Sequence, residues 1–182
     1  MKTDNRQQKT EDRIKIPEER GAFYKLKAGD KVFLSGIIYT ARDEAHRRIA
    51  ECGIENAEFP FEIKDQVIYY TGPSPTKPGE VIGSCGPTTS ARMDKWTPFL
   101  LSLGLAGMIG KGPRSIEVMD VIKKYQAVYF IAIGGAAAYY TNFISSAEII
   151  AYPDLGCEAI HRLEVKDFPL YVGISPDGKT IF

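Results

Sequence analysis

The sequence predicts an α/β domain with a mixed sheet and flanking helices, and three observations carry that expectation. Short apolar segments rich in β-branched and aromatic residues alternate with segments of helical character through the middle of the chain. Glycine, proline and hydroxyl residues punctuate the junctions between them. Further strand-like segments precede and follow that middle, so a plain doubly wound parallel sheet fits only in part.

The 182 residues suit one domain with a sizeable core. Residues 1–20 hold eleven charges, six basic and five acidic. With little to bury, they are expected to form a flexible extension, leaving 21–182 as the domain.

Lys31 to Tyr39 (KVFLSGIIY) reads as a strand. Thr40 and Asp43 then stand at capping-box spacing, ahead of an expected helix from Ala41 to Cys52 that Gly53 closes. A strand is expected over 66–71. Three prolines within Gly72 to Gly79 exclude regular structure there. A short strand over 81–83 leads into Ser84-Cys85-Gly86-Pro87-Thr88-Thr89-Ser90-Ala91-Arg92-Met93-Asp94, and a helix over 91–103 should end at Gly104.

Met108-Ile109 is a short strand ending in Gly110-Lys111-Gly112-Pro113. Ser115 should cap a helix over Ile116 to Tyr125, with Lys123 and Lys124 in its last turn. Ala127 to Ile133 is a continuous apolar run of the buried-strand type. Gly134-Gly135 turns it into an alanine-rich helix. Strands are expected over 147–152, 158–165, 170–174 and 180–182, with Asp177-Gly178 as a hairpin turn between the last two.

Composition narrows the function. The 23 basic and 23 acidic residues cancel, so no surplus marks a nucleic-acid partner. The apolar stretches 99–110 and 127–140 fall short of the ~18 residues of a membrane span, and the first twenty residues hold no signal-peptide core. Cysteines at 52, 85 and 157 form neither a disulfide framework nor a zinc pattern, which implies a reducing, cytoplasmic setting. With two histidines and no His-Glu-x-x-His, no metal site is expected within this chain.

Three strand-to-helix junctions carry a cation at the same topological point: Arg42, Arg92 and Lys111. In open α/β sheets the crevice beyond the carboxyl ends of the strands takes the ligand. Arginines there suit carboxylates, so parallel neighbouring strands would gather a site for a small dicarboxylate. The plainer alternative is three solvated surface charges, with Thr88 or Thr89 as an N-cap. Cations around Thr88 would favour its alkoxide and make it a candidate base. His46, one helical turn after Arg42, and Thr89 are candidate supporting residues, a partly exposed helix residue being the plainer reading of His46. Cys85 reads as packing. Gly110-Lys111-Gly112 is not a P-loop, because Leu105 stands at the first glycine position and Gly112 at the Ser/Thr position.

Several long segments, in order, resemble one family. "SGIIYTARDEAHRRI" (35–49), "YYTGPSPTKPGEVIGSCGP" (69–87), "GPTTSARMD" (86–94), "GMIGKG" (107–112), "GGAAAYYTNFI" (134–144) and "YPDLGCEAIHRLEVKDFPLYV" (152–172) are similar to the β subunit, or C-terminal domain, of class I fumarase and to the β subunit of L(+)-tartrate dehydratase. The resemblance covers about residues 20–182. It implies a swivelling β/β/α domain and a partner α subunit carrying a [4Fe–4S] cluster with one open iron. It also implies that Arg42, Arg92 and Lys111 bind substrate and that Thr88 is the catalytic base. The implied reaction is reversible hydration of fumarate to L-malate, or dehydration of tartrate or a related hydroxy-dicarboxylate. The cysteines here do not match the cluster ligands. Ser90-Ala91 and Cys157 depart from the familiar motif without touching those four positions. A non-catalytic swivelling module that binds anions remains the alternative of another class.

Overall fold

The computed structural model describes residues 11–55 and 57–182. Its strands are β1 (Asp12–Ile16), β2 (Lys31–Thr40), β3 (Val67–Tyr69), β4 (Gly107–Gly110), β5 (Val128–Ile131), β6 (Ile144–Ala151) and β7 (Ile160–Ile174). The helices are α1 (Asp43–Glu55), α2 (Thr97–Ser102), α3 (Ile116–Tyr125) and α4 (Ala137–Thr141). The sheet is mixed. β2, β3, β4 and β5 run parallel as neighbours, and the long β7 pairs antiparallel with both β5 and β2. That double pairing closes a five-stranded barrel, with β1 and β6 flanking it on β2 and β7.

Strand alternation divides the apolar residues between two cores. Val32, Leu34 and Ile38 of β2 point into the barrel with Val67, Tyr69, Val128, Phe130, Leu163, Phe168, Leu170 and Val172. The opposite faces of β3, β4 and β5, through Ile68, Met108 and Tyr129, pack against Ala45 and Ile49 of α1, Leu100 and Leu101 of α2, and Val118 and Ile122 of α3. The apolar run reads as continuous because both of its faces are covered over 127–130, while Ile133 at its end is exposed.

Several local expectations are corrected. Residues 12–16, expected within a flexible extension, form β1 alongside Val32–Gly36; the part of that expectation covering 1–10 lies outside the described residues. Thr40 does not cap α1. Its hydroxyl donates to Ala159 O (3.2 Å) and accepts from His161 N (2.9 Å), which keeps it in the sheet, so the helix begins at Asp43 and runs through Gly53 to Glu55. No strand forms over 81–83. The helix expected over 91–103 is a 3-10 turn, Ser90–Met93, followed by α2, because Pro98 has no N–H to continue it. The segments 158–165 and 170–174 join in β7, with Asp167 in a left-handed conformation (φ 51°) between them. The terminal strand reduces to one bridge, Ile174 to Thr180, around the turn in which Gly178 N donates to Ser175 O (2.8 Å). Ser115 caps α3 as expected, its hydroxyl accepting from Val118 N.

Candidate active site

Because β2, β3 and β4 are parallel neighbours, the segments that follow them leave the sheet side by side. Arg42 stands just after β2. A Cβ at Gly72 would come 2.8 Å from Arg42 Nη1 and 2.9 Å from the Cys157 carbonyl oxygen, and the backbone oxygen cannot yield as a side chain can, so the chain leaving β3 passes here as glycine. Arg42 Nη2 is 3.7 Å from Glu158, and its Nε, buried without a hydrogen-bond partner among the described residues, is 4.0 Å from Asp43.

The segment carrying Thr88 is tied across the same edge. The Tyr69 hydroxyl donates to Cys85 O and the Thr71 hydroxyl to Gly86 O, both at 2.7 Å, which draws the returning loop over the barrel. Thr88 N then donates to Tyr70 O (2.7 Å). Lys111 N donates to Thr88 O (3.3 Å), and Ser90 N donates to Lys111 O (3.0 Å). Thr89 and Lys111 are thus paired in a parallel bridge between the exits of β3 and β4, and Thr88 joins it through its carbonyl.

The hydroxyls of this segment have different tasks. Ser90 is buried at 2.9 Å from the Tyr129 hydroxyl, which also donates to Gly112 O (2.8 Å). Gly110 is required beneath it, since a Cβ there would come 1.9 Å from Ser90 Oγ. Thr89 precedes the 3-10 turn but makes no side-chain capping bond. The half-buried Thr88 side chain makes no hydrogen bond among the described residues. Capping therefore does not account for either threonine.

Arg92 projects from the 3-10 turn toward the start of α1. Its Nε donates to Asp43 Oδ1 (2.9 Å) and its Nη2 lies 2.8 Å from Asp43 Oδ2. The half-buried Lys111 runs its aliphatic chain past Gly134, and its ammonium has no acidic partner among the described residues. Arg42, Arg92, Thr88 and Lys111 therefore line one edge, but the cations are not bare: Asp43 and Glu158 stand among them.

His46 serves this edge from beneath. It is buried, not partly exposed, between Tyr70 and Trp96. Burial lowers its pKa to about 4, and the Arg114 charge acts in the same direction, so the ring is neutral near pH 7. Nδ1–H donates to Arg42 O at 2.8 Å, while Nε2 is buried without a hydrogen-bond partner among the described residues. Its interaction is with the backbone of Arg42.

Two functional features escape a reading of the sequence. Asp43, which joins the two arginines, directly follows Arg42 in "TARD", and that adjacency was the available signal. Arg114 has a fully buried side chain. It donates to Asp94 Oδ1 (2.6 Å) and to the Thr97 hydroxyl (2.6 Å), and Asp94 Oδ2 accepts from Ser115 N (2.8 Å). This clamp ties the Arg92 turn to the loop that follows Lys111. No local pattern marks it.

The cysteines occupy three settings. Cys85 is buried, and burial pushes its thiol up to about 12, so it is no nucleophile. Cys52 lies 3.6 Å from the Tyr152 hydroxyl, and Cys157 is exposed. Among the described residues no group of three or more His, Cys, Asp or Glu could hold a metal ion. These residues do not fit an iron–sulfur cluster.

The family model for the fumarase C-terminus matches residues 1–182. The chain belongs to the fumarase C-terminus family. It is 41% identical over 154 residues to "Fumarate hydratase class I, anaerobic" of Escherichia coli, covering 84% of this chain and 28% of that one. It is 40% identical over 164 residues to "Putative L(+)-tartrate dehydratase subunit beta" of Methanocaldococcus jannaschii, covering 87% and 84%. With "Fumarate hydratase 2" of Leishmania major the identity is 36% over 169 residues, covering 92% and 30%. The chain thus spans less than a third of these fumarate hydratases but most of the tartrate dehydratase subunit. Among the described residues, no helix is long and apolar enough to cross a membrane.

Proposed function

We propose that the chain is the β subunit of a cytoplasmic class I fumarate hydratase, a hydro-lyase that adds water reversibly to fumarate and is active only with an α subunit carrying a [4Fe–4S] cluster. Its frame would be the swivelling β/β/α domain of that family. The observation that carries the reading is the unengaged Thr88 hydroxyl on the same edge as Arg42, Arg92 and Lys111, in a chain of the fumarase C-terminus family.

Arg42 and Arg92 would receive the substrate carboxylates through paired N–H donors. Lys111 would hold negative charge as it spreads from the reacting carbon into the neighbouring carboxylate. Thr88 Oγ would take the proton from that carbon in the dehydration direction and return it in the hydration direction. No residue of this chain is assigned to the departing hydroxyl, and the cluster is assigned to the partner. The match over 84% of a tartrate dehydratase β subunit favours a second reading, in which the assembled enzyme dehydrates L(+)-tartrate or a related hydroxy-dicarboxylate.

The test is anaerobic co-expression with an α subunit bearing three cluster cysteines, followed by parallel assays on fumarate and tartrate. Thr88→Ala is expected to lower kcat by about a hundredfold or more, and Arg92→Ala to raise KM. A loaded complex inactive on both substrates would leave the non-catalytic anion-binding module as the reading. Full activity in Thr88→Ala would remove that residue as the base.

A further inference from the structure

The two arginines read above as carboxylate receptors both stand beside Asp43. Its contact with Arg92 is one hydrogen bond, Nε to Oδ1 at 2.9 Å, with Nη2 in charge contact 2.8 Å from Oδ2. Arg42 Nε lies 4.0 Å from Oδ2, with Glu158 on its other side. A guanidinium is planar, with five donors in fixed directions. The Nε hydrogen bond and the Nη2 contact restrict the guanidinium plane, and Nη1 makes no contact with Asp43 among the described residues. Arg92 is half-exposed, and without this contact its side chain would sample many rotamers.

We infer that Asp43 is a positioning residue of the anion site: it aims Arg92, and with it Arg42, so that the donors it leaves free meet a substrate carboxylate. The inference rests on the dicarboxylate reading of this edge. Two alternatives give different results. If Asp43 merely complements the amino end of α1, its loss would move stability and leave anion affinity alone. If it occupies the carboxylate place as a competitor, its loss would tighten binding.

The experiment has two arms. The first measures kcat and KM of the complex with its α subunit, using wild type, Asp43→Asn, Arg92→Ala and the double variant. The second titrates the 182-residue chain with succinate and follows binding calorimetrically. Asp43→Asn is expected to raise KM and the succinate Kd about tenfold while changing kcat less than about twofold. The double variant is expected to bind no more weakly than Arg92→Ala, because Asp43 acts through Arg92. Asp43→Ser, which keeps a helix-start residue, repeats the measurement should the asparagine variant fold poorly. Unchanged or tighter binding, or losses that add fully in the double variant, would overturn the inference. An inactive complex whose chain still shows the succinate pattern would reject the hydro-lyase reading and leave the inference standing. Absence of both activity and succinate binding in wild type would reject both.

Discussion

Acid should destabilise this protein through His46, and burial sets the size of the effect. The ring is buried between Tyr70 and Trp96, and burial lowers its pKa from 6.5 to about 4. Between those two values the unfolded chain binds a proton that the folded chain refuses. The stability is therefore fully present above the unfolded value and is lost as pH falls toward the folded one. The whole gap corresponds to about 3 kcal/mol, of which about 2 kcal/mol should be gone by about pH 5. His161 is also held low, by burial, and titrates in the same sense, so the comparison must be made against a variant. His46→Asn keeps an N–H near the position of Nδ1, able to reach Arg42 O, and removes the titration. Urea unfolding followed by the single tryptophan, Trp96, at about pH 8 and about pH 5 gives both stabilities. Wild type should lose about 2 kcal/mol more than His46→Asn over that interval. Parallel losses in the two proteins would refute the account of His46 as a buried neutral ring.

Two further outcomes follow from the scaffold behind the site. A Cβ at Gly110 would come 1.9 Å from Ser90 Oγ, so Gly110→Ala should cost about 1–3 kcal/mol in urea unfolding. Adding Ser90→Gly should recover part of that loss, and the two costs should not add. Asp94→Ala leaves the fully buried Arg114 guanidinium without its counter-charge and should cost about 3–5 kcal/mol. A cost below about 1 kcal/mol would mean that this pair does not clamp the Arg92 turn.

What could be read from the sequence was whatever nearby residues decide. Ser115 caps α3 because a hydroxyl and an amide three residues on are enough. The buried character of 128–131 follows from an apolar run that leaves no polar face. Positions 42 and 111 could be recognised because each follows a strand; the strand expected before 92 does not form, and that segment reaches the same edge through the hydrogen bonds of Thr88 to Tyr70 and Lys111. The misses have distant causes. Thr40 looked like a cap, but β7, more than a hundred residues later, takes its hydroxyl. Residues 12–16 look like a charged tail, yet their ladder with β2 and the burial of Ile14 and Ile16 order them. Arg114 looks like a surface cation in a loop, and only the packing of Tyr70, Tyr129 and Thr97 around it shows otherwise.

The acids at the site change how its affinity should be understood. Three cations gathered on one edge suggested a site for a small dicarboxylate. Asp43 and Glu158 stand within 4.0 Å of the arginines, which leaves about one net positive charge among these five groups. A dicarboxylate would overcompensate that charge, so attraction at a distance is a weak source of affinity, and exposed charges are screened further by salt. What remains is directional: guanidinium donors held in fixed planes, where paired bonds to a carboxylate are strongest. Lys111 differs from the arginines in having no acidic partner among the described residues, so its charge is the one not already matched. The edge therefore separates two tasks. On the proposed reading the arginines, held by Asp43, Glu158 and the backbone over His46, would orient the guest. On the same reading Lys111, whose N–H donates to Thr88 O, would answer charge that appears only during reaction.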